Sequence, residues 1–469
     1  MRGLLLVALA ALPLGCSAVL RFDECTVDAD CAKRATDGVA YCSADHVCST
    51  DVPADRLCTL DPVSSSNPNA VTIGGLFRLT GATGQKDTAL SDAATLAVAD
   101  VNTSMPPRPL RFVLCDTNGD PAQARRAVTA AVEKFGAVGF VGPTTSDEVV
   151  GLVNGGENLL AKYDVIVVSG SATSPGITSL ADVPPGGGFG LVWRTCASDL
   201  LQARELAALI TLRGTTNLTS AYVETSYGSG LNAAFSAALG SQFAPGPAPA
   251  VVSNSFMMGT PGSDVVAFLQ SNPVPQFALV IADSDAPGWL TALDDAGPAM
   301  AQTQYLFTDG AKAQTLLDTT ASKALLARVR GTGPANPDTP AGVYFKSGYL
   351  GAYKTSPTNI AFTSNTYDAV FAMAVAMGAI LPGSPITGEF IADGMNRLSK
   401  GTSIDAGPNG FLQAYGALAM AQSVNLQGAS GPIDFDGKSG DVLTAPIEVW
   451  TIDTSVSPQQ FQTVKIDTP

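Results

Sequence analysis

Three apolar runs, Arg111-Phe-Val-Leu-Cys-Asp116, Val138-Gly-Phe-Val-Gly142 and Val165-Ile-Val-Val-Ser169, decide the fold of this chain. Between the first two, Pro121 stands where a first helical turn tolerates proline, and Ala124, Val128, Ala131, Val132 and Phe135 recur at helical spacing. Between the second and third, Thr144-Thr-Ser-Asp147 supplies cap residues for a helix ending near Tyr163. The order is strand, helix, strand, helix, strand, which builds a parallel sheet with helices on its faces. Ligands of such sheets sit beyond the carboxyl ends of the strands, where helix N-termini offer N–H groups. Those ends carry Thr144, Thr145, Ser146, Ser171 and Thr173. Hydroxyls and backbone donors suit a carboxylate or another small anion, and each hydroxyl alone also reads as a helix cap.

Outside this stretch the alternation continues. Val71 to Leu79 reads as a strand, and Thr219 to Thr225, Ala250 to Phe256, Phe277 to Ala282 and Tyr305 to Thr308 read as a second set with helices between them. Gly228-Ser-Gly-Leu-Asn-Ala233 mimics a dinucleotide fingerprint, but the next strand ends in Asn254-Ser-Phe256 with no acidic residue for a ribose. The loop Thr80 to Asp87 has glycines and Lys86 without the spacing of a P-loop. Asp116-x-Asn118-x-Asp120 begins like a calcium loop, yet Ala127 occupies the place of the bidentate glutamate, so it reads as a turn. Asp434 to Gly437 with Asp441 likewise reads as a hairpin turn, and no metal site or cofactor is expected.

The chain has 469 residues, 46% of them hydrophobic and 14% charged, with a net charge of -15. That excess of acid argues against nucleic acid as a partner. The one histidine, His46, lies among cysteines near the front, which leaves no Ser-His-Asp or Cys-His site for the body. No enzyme is expected. Met1-Arg-Gly, the apolar run Leu4 to Leu12 and Pro13-Leu-Gly-Cys16 have the anatomy of an export signal over residues 1–15. The Leu-Gly-Cys ending resembles the lipobox of bacterial lipoproteins, with Pro13 where leucine is usual, and implies lipidation of Cys16. Ser17 after it resembles the outer-membrane sorting default. Cys25, Cys31, Cys42 and Cys48, spaced by six, eleven and six positions, suggest two disulfides within an exported cysteine-rich segment, residues 16–60, with three pairings possible. Asp61 to Asn69 has linker composition, so a linker is expected over 61–70.

The body resembles the type I periplasmic binding proteins, specifically the leucine/isoleucine/valine-binding family that feeds ABC transporters. The likeness rests on Ile73-Gly-Gly-Leu-Phe-Arg-Leu-Thr-Gly81, Ala93 to Asn102, Gly142-Pro-Thr-Thr-Ser146, Ser169 to Pro175, Trp193 to Asp199, Tyr222 to Leu231, Thr366-Tyr-Asp-Ala-Val370 and Gly431 to Asp436, in that order. It implies an α/β fold of two lobes, each a parallel sheet flanked by helices, with three crossing strands at a hinge. Lobe 1 would take 71–196 and 331–430, and lobe 2 would take 197–330 and 431–469. The crossings are expected at Trp193 to Ala197, Leu325 to Gly331 and Gly428 to Pro432. The resemblance implies a pocket for an amino acid or related carboxylate made by Ser146, Ser171 and Thr173 facing Tyr227 and Asp309, with Lys86 near the ligand's side chain, where a lysine suits an anionic group. Ala282-Asp283-Ser284 stands where branched-chain binders tend to be aromatic, which argues against leucine, isoleucine or valine. Cys115 and Cys196, both at strand ends of the first lobe, are expected to pair, with Cys58 left over. The expected function is capture of a small polar ligand for an ABC permease by a protein lipid-anchored in the periplasm or at the cell surface. The alternative is a ligand-sensing or surface interaction lipoprotein on the same fold.

Overall fold

In a computed structural model the described residues are 25–32, 41–42, 46–49, 53, 56–80, 84–211, 217–271 and 274–467. The export signal and Cys16 lie outside them. The chain divides into a small unit up to Arg56 and a body from Leu57 onward.

In the small unit, a short helix at Asp28–Ala32 and an antiparallel ribbon pairing Tyr41–Cys42 with Cys48–Ser49 are held by the disulfides Cys25–Cys42 and Cys31–Cys48. Its buried cluster is made of those cysteines. Two bridges therefore do the work that an apolar core does in a larger domain.

The first sheet of the body contains β1 (Cys58–Leu60), β2 (Val71–Phe77), β3 (Leu110–Asp116), β4 (Gly139–Val141), β5 (Ile166–Ser169) and β6 (Val192–Arg194). Their spatial order is β1-β3-β2-β4-β5-β6, parallel throughout except for β1, which runs antiparallel along β3. Helices α1 (Gly84–Thr103), α2 (Pro121–Phe135) and α3 (Ser146–Asn154) fill the first crossovers. Local chemistry sets their ends. Asp120 caps α2 by accepting from the Gln123 N–H at 2.7 Å, and Gly136 closes it at φ +66° with its N–H on the carbonyls of Ala131 and Val132. Thr145 and Glu148 form a capping box on α3. Between β4 and α3, Gly142 sits at φ +89°, where a Cβ would stand 2.3 Å from the Leu76 carbonyl oxygen, so only glycine lets the chain leave the sheet here.

The second sheet contains β7 (Leu218–Val223), β8 (Val251–Phe256), β9 (Phe277–Ile281), β10 (Gln304–Phe307), β11 (Val329–Pro334), β12 (Ile447–Asp453) and β13 (Gln460–Asp467), in the order β8-β7-β9-β10-β11-β12-β13. It is parallel up to β11, after which β12 and β13 add antiparallel. Helices α4 (Asp199–Thr211), α5 (Ser226–Phe243) and α6 (Ala286–Asp295) belong to this half. The chain expected to run as a strand from Leu325 instead turns a short helix at Lys323–Leu326 before β11. The α/β, two-lobed fold read from the sequence is the fold observed.

Helix α7 (Thr363–Ala376) is buried on every side. It packs against α1 through small residues, Ala93, Ala94 and Ala97 among them, none of which has exposed surface. At its centre Asp368 accepts hydrogen bonds from the Ala429 N–H at 2.7 Å, the Ser430 N–H at 2.8 Å and the Ser430 hydroxyl at 2.6 Å. Burial, opposed by those donors, pushes its carboxyl up to about 7.

Two expectations change. Cys115 pairs with Cys58, its register partner across β1 and β3, and Cys196 is a buried thiol whose pKa burial raises to about 12. The stretch expected as linker is part of the body: Asp61 is buried, its N–H bonds the Phe112 carbonyl at 2.9 Å, and Ser64 exchanges hydrogen bonds with Phe112. Composition alone could not show this, because Asp61, Ser64 and Ser65 bond the backbone of Leu110 and Phe112 in β3 while their polar neighbours stay exposed. No helix among the described residues is long and apolar enough to cross a membrane.

Peptide mapping without reductant should recover a peptide pair joining Cys58 to Cys115, with Cys196 alkylated only after unfolding. Replacing both Cys58 and Cys115 by serine should cost about 4 kcal/mol, the loop-entropy value for the 57-residue separation. A Cys115–Cys196 peptide would contradict the observed pairing. A second expectation concerns pH. Asp368 binds its proton more tightly in the folded chain than at the ordinary value of 3.8, so its contribution is complete below pH 4 and is lost as pH rises through about 7. Calorimetry from pH 4 to 8 should therefore show the wild type losing stability relative to Asp368→Asn, and parallel profiles would remove this residue as the cause.

Candidate functional site

The carboxyl ends of the two sheets face one cavity of about 120 Å³. Each sheet reverses its strand order there, between β2 and β4 in one and between β7 and β9 in the other, which is where a doubly wound sheet leaves a crevice.

From the first sheet come the residues that follow β2, β4 and β5. Arg78 is fixed by Asp87 of α1, which accepts from its Nε at 2.8 Å, its Nη2 at 2.9 Å and its backbone N–H at 2.9 Å. Asp87 has no exposed surface and also accepts from the Thr144 hydroxyl at 2.6 Å. The other edge of the guanidinium, Nη1, reaches across to Asp283 at 2.8 Å. Burial works against the charge of Arg78, but Asp283 and then Asp87 more than offset it, and its pKa stands well above the ordinary value. Gly119, at φ +73°, makes room: a Cβ there would lie 2.6 Å from the arginine Cδ. Ser146 and Ser171 line the same cavity. The Ser171 hydroxyl donates to the Thr144 carbonyl at 2.9 Å, and the Ser146 hydroxyl accepts from the Ser174 N–H at 3.2 Å. Ser146 and Asp147 open α3, and the first N–H groups of a helix have no partner within it.

From the second sheet come residues after β7, β9 and β10. Asp309, 2% exposed, accepts at one carboxylate oxygen from the Tyr227 hydroxyl and from Gln202 Nε2, both at 2.8 Å. The Tyr227 hydroxyl in turn accepts from the Gly310 N–H at 3.3 Å and lies 2.7 Å from the Thr308 hydroxyl. Burial first, and then Asp309 and Asp199, raise the Tyr227 pKa well above its ordinary value, so the phenol stays a neutral donor. Asp199 lies behind, wholly buried. One of its oxygens accepts from the Thr173 hydroxyl at 3.0 Å. Burial and the neighbouring Asp309 push its carboxyl well above the usual range, which favours the protonated acid.

The two sides also meet directly. The Ser226 N–H donates to Asp147 at 3.0 Å, and the Ser174 hydroxyl donates to the Ser226 carbonyl at 2.8 Å. Phe362 lines the cavity at φ +73°, a conformation rare for a bulky side chain.

Of the expected site residues, Ser146, Ser171, Tyr227 and Asp309 come together around this cavity. Thr173 does not line it, being turned to Asp199. Thr145 is the helix cap, its hydroxyl used on Glu148 at 2.7 Å and 3.2 Å. Lys86 falls in the first turn of α1 with its side chain outside the described residues. Sequence reasoning passed over Arg78 and Asp147 and used Asp283 only as a departure from an aromatic pattern. Arg78 carried a signal, since an arginine directly after an apolar strand stands at the ligand end of the sheet. Asp283 and Asp285 carried none, because acidic residues before a helix are common caps.

Residues 89–455 match the family described as receptor family ligand binding region. No curated protein matches the chain. Among solved structures, a leucine-binding protein from Thermotoga maritima superposes with a TM-score of 0.66 at 19% identity, covering 85% of this chain and 99% of that one. A branched-chain amino acid substrate-binding protein from Streptococcus pneumoniae in complex with isoleucine gives 0.63 at 16%, over 85% and 99%. A solute-binding protein from Rhodopseudomonas palustris in complex with 4-hydroxybenzoate gives 0.64 at 13%, over 85% and 98%. With a match that spans most of its length, from within α1 to just past β12, the chain belongs to the receptor-family ligand-binding-region family and has the type I periplasmic-binding fold.

Proposed function

We propose that this chain is an extracytoplasmic solute-binding lipoprotein, anchored through Cys16, that captures an amino acid or related carboxylate between its lobes and delivers it to an ABC transporter. The observation that supports this most is the opposition, across one cavity, of the Ser146 hydroxyl at the N–H end of α3, with Ser171 beside it, and a buried, oriented carboxylate at Asp309. The Ser146 end suits the ligand's carboxylate, helped by the partial positive charge at the start of α3. Asp309, held by Tyr227 and Gln202, suits an ammonium. Closing the lobes removes water from both pairings and strengthens them. Leucine, isoleucine, 4-hydroxybenzoate and 3,4-dihydroxybenzoate, named as ligands of structural relatives, share a carboxylate, and only the first two carry an ammonium. The Ser146 end is therefore the common element of this reading, and Asp309 separates amino acids from aromatic acids.

A thermal-shift panel on the full chain tests it. A ligand at one hundred times its dissociation constant adds about 2.7 kcal/mol, enough to raise the melting temperature by a few degrees. Asp309→Ala should weaken amino acids by about 100-fold or more, as loss of a buried charge partner does, and leave 4-hydroxybenzoate within a few-fold. Ser146→Ala should weaken both. No shift with any amino acid or aromatic acid would overturn the proposal.

A further inference from the structure

Arg78 is bound from both sides of the cleft, and its two partners differ. Asp87, on the same lobe, is fully buried and takes one whole edge of the guanidinium in bidentate geometry. That alone anchors the side chain. Asp283, on the opposite lobe, holds only Nη1, and its side chain is 24% exposed. Both Arg78 and Asp283 line the cavity. A planar guanidinium edge is the best protein partner for a carboxylate, so an arginine here would draw an anionic group of the ligand into this end of the cavity. Asp283 already occupies that position with a carboxylate of the protein's own.

We propose that Asp283 masks Arg78, so that the cleft accepts ligands with one carboxylate and refuses those with a second carboxylate at this end, and that the bridge locks the lobes together from the same position. The inference rests on the carboxylate-binding reading above and adds to it the residue pair that selects among carboxylates. Specificity then comes from a repulsive element: a second ligand carboxylate meets Asp283, with Asp285 on the same cavity wall, before it can meet Arg78. Removing the Asp283 side chain leaves Arg78 anchored by Asp87 and opens both the space and the donor edge that a ligand carboxylate would fill.

The test uses matched probes on the full chain by calorimetric titration: glutamine against glutamate, and 4-hydroxybenzoate against terephthalate. The wild type should prefer the monocarboxylate of a pair by tenfold or more. Asp283→Ala should gain at least tenfold for the dicarboxylate, Asp283→Asn should gain less because the amide still fills the space, and Arg78→Gln added to Asp283→Ala should abolish the gain. A wild type that binds both members equally, or an Asp283→Ala variant with unchanged dicarboxylate affinity, overturns the mask while leaving monocarboxylate capture intact. Binding of no probe by either protein overturns the carboxylate reading and the mask together.

Discussion

A parallel sheet covered by helices on both faces favours apolar side chains along its strands, so the groups that can meet a ligand gather at the strand ends. The rest of this protein depends on that restriction. β2, β4 and β5 are buried through their length and release Arg78, Thr144, Ser146 and Ser171 only after their last hydrogen-bonded residues. β7, β9 and β10, buried apart from Tyr222 and Gln304, are followed in the same way by Tyr227, Asp283 and Asp309. Because the two sheets turn these ends toward each other, one cleft collects Arg78, Ser146, Ser171, Tyr227, Asp283 and Asp309.

Within the cleft the acids are not equivalent, and their surroundings divide the work. Asp87 is consumed by Arg78 and Thr144 and serves as a foundation. Asp199 is desolvated beside another carboxyl, which favours its protonated form. Asp309 is oriented by two donors on a single oxygen. The same residue type thus supplies an anchor, an acid biased toward its neutral form and an oriented carboxylate on the cavity wall, decided by burial and by which donors reach each carboxylate.

How much of this was legible in the sequence follows from the range of the interactions involved. The helix ends at Asp120, Gly136 and Thr145 are fixed by bonds to residues at most five positions away, and of these the sequence reading had named the cap at Thr145. Ser146 and Ser171 were reachable because each follows a strand end, whose place in an α/β fold is known once the order of elements is known, whereas Tyr227 and Asp309 came only from the family resemblance. Arg78–Asp283 joins residues 205 positions apart, and nothing local marks either as a partner of the other. Cys58–Cys115 escaped for a different reason. The polar residues around Asp61 read as linker, and a cysteine next to a linker gives no hint that it ends a strand antiparallel to β3.

That strand also decides how the body is held from its front. β1 is three residues long and lies at the sheet edge, so hydrogen bonds alone would let it peel away one rung at a time under a pull from the residues before Leu57. The covalent link to Cys115 passes the load straight into β3, which is flanked by strands on both sides. Cys115 stands one residue before the end of β3, so force entering the body at Leu57 is taken up by the sheet beside the cleft, next to Asn118 and Gly119 in its wall.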